Sequence, residues 1–278
     1  MRFVWQFAAV AAVALIGSQA SYALQENPWF TLVLGLLTAV LTLLVYRWVV
    51  RRTERRPVTE VAREGAGAAI GRGTLIGVAL FVAVIVSIAF LGGYEISGLG
   101  SVTGALGLFG FMAAAAVTEE VIFRGVLFRI IEERTGTWIA LVLTSVPFGL
   151  LHLVNPHANL WGAIVVGIEG GAMLTAAYIA TRNLWVPIGL HFGWNFAAGG
   201  IFSTEVSGND TQQGLLDAAT SGPMLITGGD FGPEGSLFAV LFCVLVMIAF
   251  VWLAHRRGHL VPRRRRADRA GAGTTLPQ

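Results

Sequence analysis

Lysine is absent from this sequence, cysteine occurs once, and charged residues make up only 13% of the 278 positions. Each scarcity excludes something. A single cysteine, Cys243, rules out a disulfide within the chain and a thiolate zinc site; lying in an apolar run, it reads as helix packing. With 55% hydrophobic residues and a mean hydropathy of +0.71, a water-soluble globule would lack the polar surface to cover itself. The bilayer is therefore the expected solvent. The missing lysine leaves all nineteen basic positions to arginine. A sequence pI near 9.6 admits nucleic acid as a partner, but the arginines flank hydrophobic stretches, where they face anionic lipid headgroups instead. Membrane lipids are expected partners and nucleic acid is not.

What the sequence has in abundance is apolar runs. A helix needs about 20 apolar residues to cross the hydrocarbon, and eight stretches qualify: 3–23, 28–50, 74–93, 101–124, 137–154, 159–181, 184–202 and 235–254. The expected fold is all-α, a polytopic transmembrane bundle of about eight helices over residues 1–254, with the chemistry in about 100–202 and a basic, disordered tail over 255–278. No internal repeat or second domain is visible. The fourth stretch is expected to continue as an amphipathic, water-facing helix through Arg129, Glu132, Glu133 and Arg134. Arginines cluster at Arg51 to Arg72, at Arg129 and Arg134, at Arg182, and from Arg256 to Arg269. Eight spans put every cluster on one side, the cytoplasm of a bacterial plasma membrane by the positive-inside rule, with both termini there. The opposite loops carry Glu26, Glu95, Glu205, Asp210, Asp217, Asp230 and Glu234 and no arginine. Arg2, the apolar stretch after it and Ser21-Tyr22-Ala23 also fit a cleaved signal peptide, which would leave seven spans in the same orientation. Most tryptophans fall near span ends, as an interfacial belt requires; Trp194 does not.

Ionisable groups inside a span are costly and face a cavity or a partner. Three clusters occur: Glu119-Glu120-Val121-Ile122-Phe123-Arg124, Phe148-Gly149-Leu150-Leu151-His152, and His191-Phe192-Gly193-Trp194-Asn195. Glu120 and Arg124 stand four apart on one helix face, the spacing of an ion pair. Glu119 is rotated by about 100° and stays available as a general base that takes a proton from water and returns it. The structural alternative is that both glutamates pair with Arg124 and Arg129 at the end of a helix. His152 projects from the same side as Phe148, one turn earlier; alone it reads equally as a packing histidine. His191 and Asn195 share a face at i,i+4, where an imidazole N–H and an amide point at one developing oxyanion, or else bond a neighbouring helix.

Together the three clusters, Glu-Glu-x-x-x-Arg, Phe-x-x-x-His and His-x-x-x-Asn in that order on successive spans, resemble the motifs of the CPBP family. Its members are the type II CAAX prenyl endopeptidases and the Abi, bacteriocin-processing membrane proteases. The resemblance covers roughly residues 100–202. It implies an intramembrane endopeptidase in which Glu119 and His152 activate water, His191 and Asn195 stabilise the oxyanion, and Glu120 and Arg124 act in support, with Phe148 completing its motif. The implied partner is a membrane-bound or lipidated, CAAX-like protein or peptide. Glu119, His152 and His191 are also a conceivable Zn²⁺ set, but there is no His-Glu-x-x-His, and the metal-independent route is preferred. A proton-coupled transporter would use the same residue types, and an inactive scaffold would keep them for packing; the first predicts inverted repeats that are not seen.

Two expectations concern depth and neighbours. Along straight helices, Glu119 and His191 fall in the cytoplasmic half of the membrane and His152 towards the outer end, so they meet only if a helix is tilted, short or displaced. Glu169 inside the sixth span faces protein or water, reading first as a structural hydrogen-bonding group and second as part of the cavity lining, His157 as a surface residue in an outer turn, and Pro147 and Pro187 as helix bends.

Overall fold

The structure, a computed structural model, describes residues 1–24 and 26–263. Of the expected disordered tail at 255–278, residues 264–278 lie outside the described residues, whereas the last helix runs to Arg256 and Val261 is hydrogen-bonded to Thr137. The molecule is an all-α bundle. Its helices are α1 (Arg2–Ala23), α2 (Pro28–Glu54), α3 (Ala66–Phe90), α4 (Val102–Glu120), α5 (Arg129–Thr135), α6 (Thr137–Leu151), α7 (Leu160–Val166), α8 (Leu174–Thr181), α9 (Trp185–Asn195), α10 (Met224–Thr227) and α11 (Leu237–Arg256). α4 runs into α5 through a π-helical segment, Val121–Phe128, and α7 into α8 through another, Gly167–Met173; a third, Phe196–Ile201, extends α9. Side-chain caps start several helices, with Asn27, Ser101, Asn159 and Ser236 each accepting from a backbone N–H of the first turn.

Seven of these rods are long and apolar enough to cross a membrane, matching seven of the eight expected stretches. Their outward faces remain apolar, with Leu37, Leu241, Leu245 and Trp252 all more than half exposed. Lipid covers such faces. The protein is an integral membrane protein. The eighth stretch is α9, 11 residues followed by a six-residue π turn. It is short because protein, not lipid, surrounds it: His191, Trp194 and Asn195 are all buried, so its length need not match the bilayer.

α9 lies in close contact with α3. Gly73 and Gly77 on α3 meet Gly189 and Gly193 on α9. A Cβ at any of the four would fall 2.2–2.3 Å from a carbonyl oxygen of the partner helix, so only glycine permits this approach. The reciprocal Gly-x-x-x-Gly pattern is a membrane-helix packing device, and here it fixes the depth of His191, midway between Gly189 and Gly193.

The arginine clusters gather on one face, as their spacing predicts. Arg129 bonds Glu54 and Gln6, Arg182 bonds Glu132, and Arg56 bonds both Glu54 and Glu60. After α11, Thr137 N–H donates to Val261 and Val261 N–H to the Thr137 hydroxyl, which docks residues up to 263 on this face. Glu60 is buried. Burial pushes its carboxyl up, but hydrogen bonds from Arg56 and Tyr46 outweigh that and hold it below the ordinary value of 4.5. Glu60 therefore contributes stability above pH 4.5 that is lost as pH falls through its lower folded-state value. The melting temperature in detergent is expected to drop on acidification below that point. The Glu60→Gln protein, less stable at neutral pH, should show a shallower fall; an equal fall would remove Glu60 from the account.

The opposite face holds the only strands among the described residues, β1 (Tyr94–Leu99) and β2 (Leu216–Thr220), paired antiparallel with an irregularity between Ile96 and Gly98. Sequence periodicity did not suggest them. A glycine-rich loop then folds inward between β2 and α11. Gly232, at φ +99°, turns it, and a Cβ there would meet the Glu205 carbonyl at 2.3 Å.

Candidate active site

A cavity of about 1130 Å³ runs between α1, α4, α6 and α9. Glu119, His152, His191 and Asn195 all line it, as do Phe148 and Glu169. The three motif clusters thus share one space.

The expected Glu120–Arg124 pair is present, with Arg124 Nη1 donating to Glu120 Oε1 at 2.8 Å and both side chains buried. Arg124 is otherwise fully engaged. Its Nε donates to Thr175 Oγ1 at 3.1 Å, its Nη2 to the carbonyls of Gly170 and Gly171, and its guanidinium lies 5.0 Å from the centre of the Phe148 ring. Glycines at 170 and 171, within a π-helical turn, bring those carbonyls into reach. Arg124 therefore ties the first motif to Phe148 of the second and to the π-helical turn at 170–171, while Glu120 links it to His191 of the third.

Glu120 Oε1 also accepts from His191 Nδ1 at 3.0 Å. A carboxylate only accepts, so Nδ1 carries the proton and Nε2 is directed elsewhere. Nε2 lies 3.9 Å from Glu119 Oε2. Glu119 itself is one-third exposed, and Oε2 has no protein hydrogen bond. The division inferred from helical phase holds geometrically: Glu120 is committed to Arg124 and His191, and Glu119 is free.

His152 ends α6. Its Nδ1 lies 2.8 Å from the Phe148 carbonyl, which can only accept, so the Nε2 lone pair of the neutral ring is available. The mismatch in depth expected of straight helices does not arise. Phe148 lies 6.4 Å from the His191 ring and 5.0 Å from the His152 ring, centre to centre, which places the Phe-x-x-x-His turn at the level of α9.

Sequence reading missed one feature and ranked another second. Glu234, taken only as an acidic loop residue, is buried in the cavity wall. Its Oε1 accepts from Trp194 Nε1 at 2.7 Å and its Oε2 from Ser207 N and Oγ. Burial pushes its carboxyl up against those bonds. Glu169, for which a structural hydrogen bond was the first expectation and a place on the cavity wall the second, lines the cavity with an unpartnered Oε1. Its place in a π-helical turn, which helical periodicity does not foresee, turns it there. The density of glycine around Glu234, at 228, 229, 232 and 235, was the available signal for an inward-folding loop.

Comparison with known proteins agrees with the motifs. Residues 101–197 match the family model described as Type II CAAX prenyl endopeptidase Rce1-like. This segment is similar to that family. It extends from the start of α4 to just past Asn195 and holds every motif residue. The chain is also 33% identical over 79 residues to a Bacillus subtilis (strain 168) protein described as "Putative membrane peptidase YdiL". That alignment spans 28% of this chain and 30% of the relative's length. No solved structure matches. The resemblance read from the three motifs is borne out.

The family's metal-dependent reading was tested on the donor set. A catalytic zinc takes three protein ligands about 2.0–2.2 Å from the metal. Among the described residues no three His, Cys, Asp or Glu side chains converge to hold an ion. Glu119 and His191 approach each other, and His152 does not complete the set. The arrangement does not fit such a zinc.

Proposed function

We propose that this protein is an intramembrane endopeptidase that hydrolyses a peptide bond in a membrane-associated or lipidated substrate. The observation that carries the reading is His191, held at Nδ1 by Glu120 while its Nε2 and the unpartnered Glu119 Oε2 stand 3.9 Å apart at the cavity wall. Water held by Glu119 and His152 Nε2 attacks the scissile carbonyl carbon. Its proton passes to Glu119, and the carbonyl π electrons move to oxygen. The oxyanion is received by the Asn195 amide and by His191 as the imidazolium, which donates through Nε2 while Nδ1 stays on Glu120. Glu119 then returns the proton to the leaving nitrogen as the C–N bond breaks.

Apolar walls at Phe3, Phe7, Phe111, Ile122 and Leu127 suit a lipid-soluble substrate segment. The arginine face is assigned to the cytoplasm of a bacterial plasma membrane by the positive-inside rule. The direct test compares new protein termini by mass spectrometry in membranes carrying the wild type or Glu119→Gln at matched abundance. Termini specific to the wild type support the reading and name the substrate. Identical profiles would return Glu119 to a structural role.

Cleavage is expected to persist in EDTA or 1,10-phenanthroline at concentrations that strip protein zinc. Loss of activity that added Zn²⁺ restores would overturn the metal-independent route.

A further inference from the structure

The glutamates of the cavity are treated unequally. Glu120 has Arg124 and His191; Glu169 and Glu234 have no arginine. Glu169 is 4% exposed. Its Oε1 is buried without a hydrogen-bond partner, although the residue lines the cavity. Arg124 donates to Glu120, Thr175 and the carbonyls of residues 170 and 171. Glu234 is 2% exposed, and its partners, Trp194 and Ser207, are neutral. Both carboxyls line the same cavity as His152. An uncompensated carboxylate in a membrane interior is costly and marks a site whose partner arrives from outside. A metal does not suit it, because no third ligand is at hand among the described residues. An organic cation does. The same cavity wall carries polar residues, Asn155, Asn209, Thr211 and Gln212, which a charged group passes at less cost than an all-apolar wall.

We infer that Glu169, backed by Glu234, forms a subsite for a cationic group of the substrate peptide, a lysine or arginine side chain or a free amino terminus, beside the hydrolytic centre. The inference rests on reading the cavity as the substrate channel. It also disfavours placing a substrate carboxylate there.

The test measures binding, so that it does not depend on turnover. Full-length protein carrying Glu119→Gln is placed in nanodiscs and titrated with three fluorescent Leu/Ala-rich peptides: N-acetylated with a central lysine, N-acetylated with a central norleucine, and the norleucine peptide with a free amino terminus. One cationic peptide is expected to bind at least tenfold tighter than the neutral one, and which one identifies the source of the charge. Adding Glu169→Gln, nearly isosteric and without a hydrogen bond to lose at Oε1, should erase the difference while leaving the neutral peptide's affinity within twofold. Equal binding of all three, or a preference that survives Glu169→Gln, overturns the subsite. Failure of the protease reading looks different: the preferred peptide binds, yet protein with Glu119 restored does not cut it.

Discussion

Glu119→Gln is expected to slow peptide-bond cleavage by about 10²–10⁴-fold, the usual contribution of a positioned general base, with little change in melting temperature. Both halves of this expectation come from the same geometry. Glu119 Oε2 makes no protein hydrogen bond and the side chain is one-third exposed, so the amide replaces it without breaking a native hydrogen bond and removes only the 3.9 Å approach to His191. The amide cannot accept and return the proton of water. Turnover of a cleaved substrate, measured beside a thermal melt of the purified protein, separates the two effects. Retained activity in Glu119→Gln would remove the general base from the mechanism. A large fall in melting temperature would show that Glu119 has a structural task that the contacts do not reveal.

Arg124→Ala is expected to act on the fold instead, lowering stability by about 3–5 kcal/mol, the range for removing one partner of a buried pair. Arg124 and Glu120 are 1% and 0% exposed, so the remaining carboxylate would be buried without a cation. The substitution would also remove the bonds that Arg124 donates to Thr175 Oγ1 and to the carbonyls of Gly170 and Gly171. A double variant, Glu120→Met with Arg124→Met, should recover much of that loss, because no charge is then left unpaired. It should nevertheless remain inactive, since His191 Nδ1 loses the oxygen that orients it. Reversible unfolding in mixed micelles measures the first quantity and cleavage the second. An active double variant would mean that Glu120 does not position His191.

The comparison of sequence with structure is instructive at particular residues. The pairing of Glu120 with Arg124 follows from four-residue spacing in a helix, and it is present at 2.8 Å. The freedom of Glu119 follows from the same helical phase. The helix boundaries were close as well, because hydropathy and side-chain caps are local properties: 28–50 was expected and Pro28–Glu54 is found. Glu234 was not legible. The glycines around it mark an irregular loop, but not that the loop bonds Trp194, forty residues earlier. β1 and β2 were missed for a related reason, since their register depends on a partner more than a hundred residues away.

From the sequence alone came the lipid solvent, the all-α bundle, the segregation of arginine to one face and the identity of the three polar clusters, all of which depend on composition or on spacing within a single turn. Only the tertiary structure decided which clusters meet, that α9 is short and enclosed by protein, and that Glu169 and Glu234 share the cavity with His152. Those outcomes depend on π-helical turns, on close glycine contacts between α3 and α9, and on a loop folded back into the bundle. Each changes the depth or rotation of a side chain by an amount that helical periodicity does not encode.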